Sequence, residues 1–449
     1  MKSFATHYKE LTRLGLPIVI GQLGIIFVSF VDTFMVGHHG KNDLAAAGFV
    51  NNVFNLVIIF ATGFSYGLTP IIGKLFGRGE KRKAGGVLRN ALLANGLMSV
   101  LLMAVMWGVY LNIDKLGQPL ELLELMRPYY LTLLISMPFI LLFNAFRQFA
   151  DGITDTKTSM WILLTGNLLN VIGNYMLIFG KCGLPELGLL GAGISTLLSR
   201  MAMLAIFLVI FFKKKHYREY SMGFWQTKVT TRSLKELFRF GLPVAIQMGM
   251  ETASFSLAAV MIGWLGTTAL AAHQIMCTVG QLGFMLYYGM AAAVAVKVSN
   301  YNGVGDIVNI RRSANAGFHI ILAIAFVASL LIFIARHQIG GMFSDDKDVA
   351  IMVAQLTVPF IISQFGDGLQ SNFSNAMRGI ADVKPVMLYA FIAYIVVSLP
   401  VGYLFGFVLG MGITGVWFSF PFGLTCAGVL FYQRFRSTVR KKEIAMHKP

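Results

Sequence analysis

Long apolar runs recur along the whole chain, and they limit the folds that are available to it. Each run is long enough for a helix to cross roughly 30 Å of hydrocarbon. Because lipid offers no partners to backbone polar groups, we expect every run to be helical. The runs lie at about 14–36, 46–72, 88–111, 128–149, 160–180, 189–212, 236–263, 270–297, 313–335, 351–376, 386–408 and 412–433. The sequence therefore predicts an all-α polytopic membrane protein with twelve transmembrane helices.

Composition and charge agree with this class. Hydrophobic residues make up 56% of the 449 residues and charged residues only 13%, whereas a soluble protein has about 25% charged residues. Residues 1–17 lack the small-residue cleavage site of a signal peptide, so we expect the first run to be retained as a helix. The bilayer is thus the expected environment.

The net charge of +17 would suggest a nucleic-acid partner in a soluble protein. The positions of the basic residues favour a different role, because with a cytoplasmic N-terminus the outer loops hold few of them. Those outer residues are Lys41, Lys115, Arg127, Lys181, Arg336 and Lys347. By the positive-inside rule both termini are expected in the cytoplasm, with no nucleic-acid partner.

The chain contains an internal repeat. The segment ELTRLGLP at 10–17 recurs as ELFRFGLP at 236–243, and the same register continues without a gap beyond it. We predict an N-lobe at 1–220, a cytoplasmic linker at 221–235 and a C-lobe at 236–449. Six helices per lobe make the repeats parallel, so we expect two six-helix bundles around a central cavity, as in secondary transporters.

Asp32 stands inside the first apolar run, where a charge costs roughly 3 kcal/mol. Asn170 and Asn174 belong to an amide stripe in the fifth run, and their oxygens suit a hard cation such as Na⁺. We predict an N-lobe cation or proton site formed by Asp32, Asn170, Asn174 and Thr196. The alternative for the asparagines is packing between helices.

The C-lobe carries two further acids within its runs, Glu251 and Asp367. Gln247 precedes Glu251 by one helical turn and shares its face. We predict a C-lobe site for a cation or a cationic substrate from these three residues, and Na⁺ is expected either there or at Asp32. We expect no buried lysine or arginine beside the acids, since Arg200 could reach the cytoplasmic surface.

The remaining chemistry is sparse. Cys182, Cys277 and Cys426 are far apart without CxxC spacing or a histidine nearby, so we predict small buried side chains and no cofactor. No P-loop, HExxH or GxSxG motif occurs, so an enzyme is not expected.

These patterns resemble the MATE family, the multidrug and toxic compound extrusion transporters, and its NorM-like branch. The resemblance rests on Pro17, Gln22 and Val31-Asp32-Thr33, on Pro243, Gln247 and Glu251, on Asn170-x-x-x-Asn174-Tyr175, and on Arg378-Gly379-x-x-Asp382 after the tenth helix. It implies a V-shaped cavity between two bundles. It also implies cation or drug coupling at Glu251 and Asp367, and a widely shared first-helix acid at Asp32.

The hypothesis is a secondary active exporter that exchanges cationic amphiphilic compounds for Na⁺ or H⁺ by rocker-type alternating access. The alternatives are a flippase for a lipid-linked saccharide and an exporter of one specific metabolite. The expected partners are small organic cations and the lipid bilayer, and the expected location is a bacterial inner membrane, as a monomer.

Overall fold

The computed structural model describes residues 3–117 and 119–446. Within these residues every regular element is helical and no strand occurs. Twelve helices in this described part of the chain are long and apolar enough to cross a membrane, which confirms the predicted fold class. They are α1 (Phe4–His39), α2 (Lys41–Gly77), α3 (Lys81–Leu111), α4 (Leu120–Gly152), α5 (Thr156–Ile178), α6 (Gly188–Lys213), α7 (Thr231–Gly263), α8 (Thr267–Val304), α9 (Ile307–Phe343), α10 (Lys347–Gly379), α11 (Lys384–Val408) and α12 (Gly412–Ala445).

The described chain divides into two compact units whose boundaries lie inside helices. Unit 2 is Ile20–Ala245, and unit 1 consists of the described residues on either side of it. The first part of α1 therefore belongs to unit 1, and the first part of α7 belongs to unit 2. The predicted lobes 1–220 and 236–449 differ from these units, because hydropathy reports where helices lie but not what each half of a helix packs against.

In unit 1 the first part of α1 packs tightly on α8. A Cβ atom at Gly15 would lie 2.5 Å from Sδ of Met290. A salt bridge of 2.7 Å joins Glu10 of α1 to Lys297 of α8. The buried His7 ring of α1 also contacts Asn309 of α9 at 3.0 Å. The segment is thus built into unit 1 by both apolar and polar contacts.

In unit 2 the first part of α7 packs on α2 by the same device. A Cβ atom at Gly241 would lie 2.6 Å from the carbonyl oxygen of Phe64, and one at Gly67 would lie 2.5 Å from Cα of Gly241. In the register of the repeat, Gly241 is the counterpart of Gly15 and Met290 is the counterpart of Phe64. The sequence repeat therefore reappears as a repeated pair of close contacts, one in each unit.

The predicted linker at 221–235 is more ordered than a surface loop. It contains most of a short connecting helix, Arg218–Gln226, and its last residues already form the start of α7. Tyr220 of the connecting helix is buried against the edge of Phe149, with ring centroids 5.4 Å apart. That burial raises the pKa of the Tyr220 phenol to about 12, because an apolar environment disfavours the phenolate.

Candidate functional site

The candidate site of unit 2 centres on Asp32, which lies on α1 beside α5. The side-chain amide of Asn174 donates a hydrogen bond to the Asp32 carboxylate. One turn earlier on α5, the amide of Asn170 donates to the hydroxyl of Thr196 on α6 at 3.3 Å. The structure thus places Asn174 on the acid and Asn170 between α5 and α6, one helical turn away on the same helix.

The amide oxygen of Asn174 is buried and has no hydrogen-bond partner within residues 3–117 and 119–446. A buried acceptor without a donor is uncommon and costly in proteins. The Asp32 carboxylate and this carbonyl offer the oxygen atoms that hard cations prefer as ligands. A cation would therefore find both a charged and a neutral oxygen ligand at this place.

Arg200 of α6 belongs to the same surroundings. Its guanidinium donates to the Ser136 hydroxyl on α4 at 2.7 Å, and it attracts the Asp32 carboxylate electrostatically. The expectation that its side chain would reach the cytoplasmic surface is wrong, because Ser136 lies in the middle of α4 and is buried. Asp32 therefore has an arginine within its electrostatic range.

In unit 1, one glutamine joins the two predicted acids. The Gln370 amide nitrogen donates to Glu251 of α7 at 3.0 Å and to Asp367 of α10 at 3.1 Å. The Ser371 hydroxyl donates to Asp367 at 3.2 Å. The Tyr394 hydroxyl on α11 donates to the oxygen of Gln370 at 3.1 Å and so fixes the orientation of the amide. Glu251 and Asp367 thus share one hydrogen-bond donor.

Gln247, the third predicted residue of this site, faces an arginine and not an acid. Arg378 donates to the Gln247 oxygen at 2.9 Å, and both side chains are buried. Arg378 lies inside α10 and not after it. The expectation that no arginine is buried beside the acids is therefore wrong in unit 1, whereas Arg200 in unit 2 is half-buried.

Sequence reasoning missed Gln370 and Tyr394, and it used Arg378 only as part of a motif of the family resemblance, without a role at the acids. Gln370 stands three residues after Asp367, a spacing that puts both on one face of a helix, so it could have been found. Arg378 and Tyr394 carried no such signal, since their roles depend on which helices meet α10.

The cysteines also differ from expectation. Cys182 is exposed. Cys277 stands one turn after His273, and its sulfur lies 3.5 Å from Nε2 of that ring, so the expectation of no neighbouring histidine is wrong. Within the described chain no group of three or more His, Cys, Asp or Glu residues could hold a metal ion.

The MatE sequence family matches the chain twice, at residues 17–176 and 243–404. The chain belongs to the MatE family. The two matches start at Pro17 and Pro243, which are counterparts in the repeat seen in the sequence.

Relatives support this membership. The "Multidrug resistance protein NorM" of Photobacterium profundum is 29% identical over 440 residues, which cover 97% of this chain and 96% of that protein. This likeness confirms the predicted NorM-like resemblance. This relative is named a multidrug resistance protein and not an enzyme, in agreement with the prediction.

Two solved structures of MATE transporters share the fold. The Vibrio cholerae transporter VcmN in its bent form has a TM-score of 0.88 and 19% identity, covering 99% of each chain. The eukaryotic transporter AtDTX14 has a TM-score of 0.88 and 17% identity, covering 98% of this chain and 99% of its own. At such low identities the likeness concerns the fold alone.

Proposed function

We propose that this MatE-family protein is a secondary active multidrug exporter that exchanges cationic amphiphilic compounds for Na⁺ or H⁺ by rocker-type alternating access. The observation that carries the proposal is the contact between Asp32 and Asn174 within unit 2. An acid in a membrane helix needs a cation, a proton or water. Reversible binding of Na⁺ or H⁺ by this acid would couple ion influx to export.

The acids of unit 1 support a cationic substrate. Glu251 and Asp367 lie close enough to share the donor Gln370, and in their charged forms they repel each other. A positively charged compound relieves that repulsion, whereas an anionic one increases it. A relative that is covered over 96% of its length is named a multidrug resistance protein.

The proposal includes an orientation and a location. Both termini lie in the cytoplasm and the protein acts as a monomer in a bacterial inner membrane. The support for the orientation is the paucity of lysine and arginine in the loops that would then face outward.

Efflux of ethidium, a fluorescent organic cation, from proteoliposomes tests the proposal. An inward Na⁺ gradient and an inward proton gradient are imposed separately. The wild-type protein is expected to move ethidium under one of them. Asp32→Asn is expected to lower that rate at least tenfold, because a neutral amide neither accepts a proton nor offers a negative charge to Na⁺.

The matched control is Asp345→Asn, the same change at an exposed acid between α9 and α10. It is expected to transport like the wild type. If neither gradient drives ethidium in the wild type, the proposal fails, and an anionic lipid-linked saccharide becomes the next substrate to assay. If Asp32→Asn transports normally, the ion site is elsewhere.

A further inference from the structure

Arg378 is held in one place near the acids of unit 1. Its guanidinium donates to Gln247 at 2.9 Å and to Asn375, one turn earlier on its own helix, at 3.4 Å. Gln247 and Glu251 are four residues apart on α7 and therefore share a face. The Gln247 contact thus fixes a positive charge about one turn from the Glu251 carboxylate.

The two acids meet unequal surroundings. Asp367 accepts hydrogen bonds from both Gln370 and Ser371, whereas Glu251 accepts one from Gln370. Arg378 attracts Glu251 electrostatically and Asp367 repels it. The Glu251 carboxylate is therefore the one that an added cation stabilises more. Arg378 competes with that cation for the negative charge of Glu251.

The net charge of this cluster sets how many monovalent cations it can bind. Two carboxylates and one guanidinium leave one net negative charge, which one monovalent cation or one proton neutralises. The other titratable groups around the cluster are neutral in their ordinary forms, and they are Tyr287, Tyr394 and Cys426.

We propose that Arg378 is a positioning residue that acts as a tethered counter-charge, weakening cation binding at Glu251 so that the ion is released in each cycle. This inference rests on the proposed ion-coupled export and adds a regulator of its affinity. A carrier must release the ion that it binds, and a second positive charge nearby disfavours occupancy by the first.

Unit 2 repeats the arrangement with different residues. Arg200 is tethered by Ser136 at 2.7 Å and acts electrostatically on Asp32. Each unit therefore combines an intramembrane acid with an arginine held by a neutral polar side chain. The recurrence at positions that the repeat does not relate favours a shared requirement over inheritance from one ancestral site.

The test is the kinetics of ethidium efflux from proteoliposomes, with the concentration of the driving ion varied. Arg378→Gln is expected to lower the half-saturating ion concentration about tenfold, and to lower the maximal rate several-fold because release becomes slow. Arg378→Lys retains the charge and is expected to keep both values within about twofold of the wild type. Damage to the fold would weaken ion binding instead of strengthening it.

The matched control is Arg311→Gln, which removes an exposed arginine of unit 1 that pairs with Glu443 at 2.8 Å. It is expected to leave both parameters unchanged. An unchanged or higher half-saturating concentration in Arg378→Gln overturns the inference while leaving the proposed function intact. Absence of ion-driven efflux in the wild type defeats the proposed function instead.

Gln247→Leu provides a second variant should Arg378→Gln not purify as a monodisperse protein. It keeps the arginine but removes its anchor, and the half-saturating ion concentration is expected to fall about threefold as the guanidinium moves away from Glu251. An unchanged or raised value in this variant also overturns the inference.

Discussion

Asn167 and Asn174 lie on the same helix, two turns apart, but only Asn174 reaches a carboxylate. The amide nitrogen of Asn167 is buried without a hydrogen-bond partner in the described part of the chain. The same residue type therefore occurs in one helix with and without a contact to Asp32. This makes the pair suited to a comparison in which only one substitution removes a ligand of the acid.

Asn174→Leu is expected to change the affinity for the driving ion by about tenfold or more, since a hydrogen bond to a charged group contributes about 1.5–3 kcal/mol. The direction identifies the ion. Half-saturating Na⁺ rises because a carbonyl ligand is lost, whereas half-saturating H⁺ falls because the carboxylate loses its donor. Ion titration of ethidium efflux in proteoliposomes measures either shift.

Asn167→Leu serves as the control and is expected to keep the half-saturating concentration within about twofold. Equal half-saturating ion concentrations for the two leucine variants would show that Asn174 is not part of the ion site.

Single residues also show how far the sequence could predict the site. The sequence identifies the three acids Asp32, Glu251 and Asp367, because a charged residue within an apolar run is visible without knowledge of the fold. The sequence predicts Arg378 beyond the tenth helix, since nothing local indicates that its guanidinium donates a hydrogen bond to Gln247 on another helix. The acids were thus predictable, while the groups that control them required tertiary structure.

At the scale of elements, close packing of glycines sets the contact between α2 and the first part of α7. The backbone of Gly241 leaves no room for a Cβ atom at Gly67. Gly96 in α3, by contrast, has no heavy atom within 4 Å of the position of an added Cβ. Alanine at these two positions should therefore have opposite effects.

Gly67→Ala is expected to destabilise the protein by about 1–3 kcal/mol, because the backbone of α2 or α7 must shift. Gly96→Ala is expected to be neutral or to stabilise by up to about 1 kcal/mol through higher helix propensity. Thermal unfolding of the detergent-solubilised proteins, followed by tryptophan fluorescence, compares them. A melting temperature of Gly67→Ala at or above that of Gly96→Ala would contradict the packing argument.

The elements themselves were largely predictable. All twelve spans fall on observed helices, and only the fifth was predicted to extend past its helix, to residue 180 where α5 ends at Ile178. The sharing of α1 and α7 between the units was not predictable, because it arises from contacts such as Gly15 with Met290 that leave no trace in hydropathy.

For the whole molecule, the repeat preserves the fold but not the chemistry. Its register places Ala258 opposite Asp32 and Ile25 opposite Glu251. Each unit therefore has its acid where the other has an apolar side chain. The two candidate sites therefore occupy different positions in units that share the same repeat.

The orientation of the whole chain can be tested through Cys182, which is exposed in the connection between α5 and α6. With both termini cytoplasmic this connection faces outward, so a membrane-impermeant maleimide is expected to label Cys182 in intact cells. Cys182→Ser is the negative control.

Trp225→Cys in the Cys182→Ser background reports the opposite side, because Trp225 is exposed on the connecting helix. It is expected to react only after the cells are permeabilised. The reverse pattern of labelling would invert the proposed topology.

The division of α1 between the units has a consequence for the order of synthesis. Unit 2 ends at Ala245, so its residues have all been made before α8 begins at Thr267. The first segment of the chain leaves the ribosome earliest, yet the helices on which it packs, α8 and α9, are made only in the second half. The nascent protein therefore carries half of its first helix without its final neighbours through most of translation, and lipid or the insertion machinery must shelter it until α8 arrives.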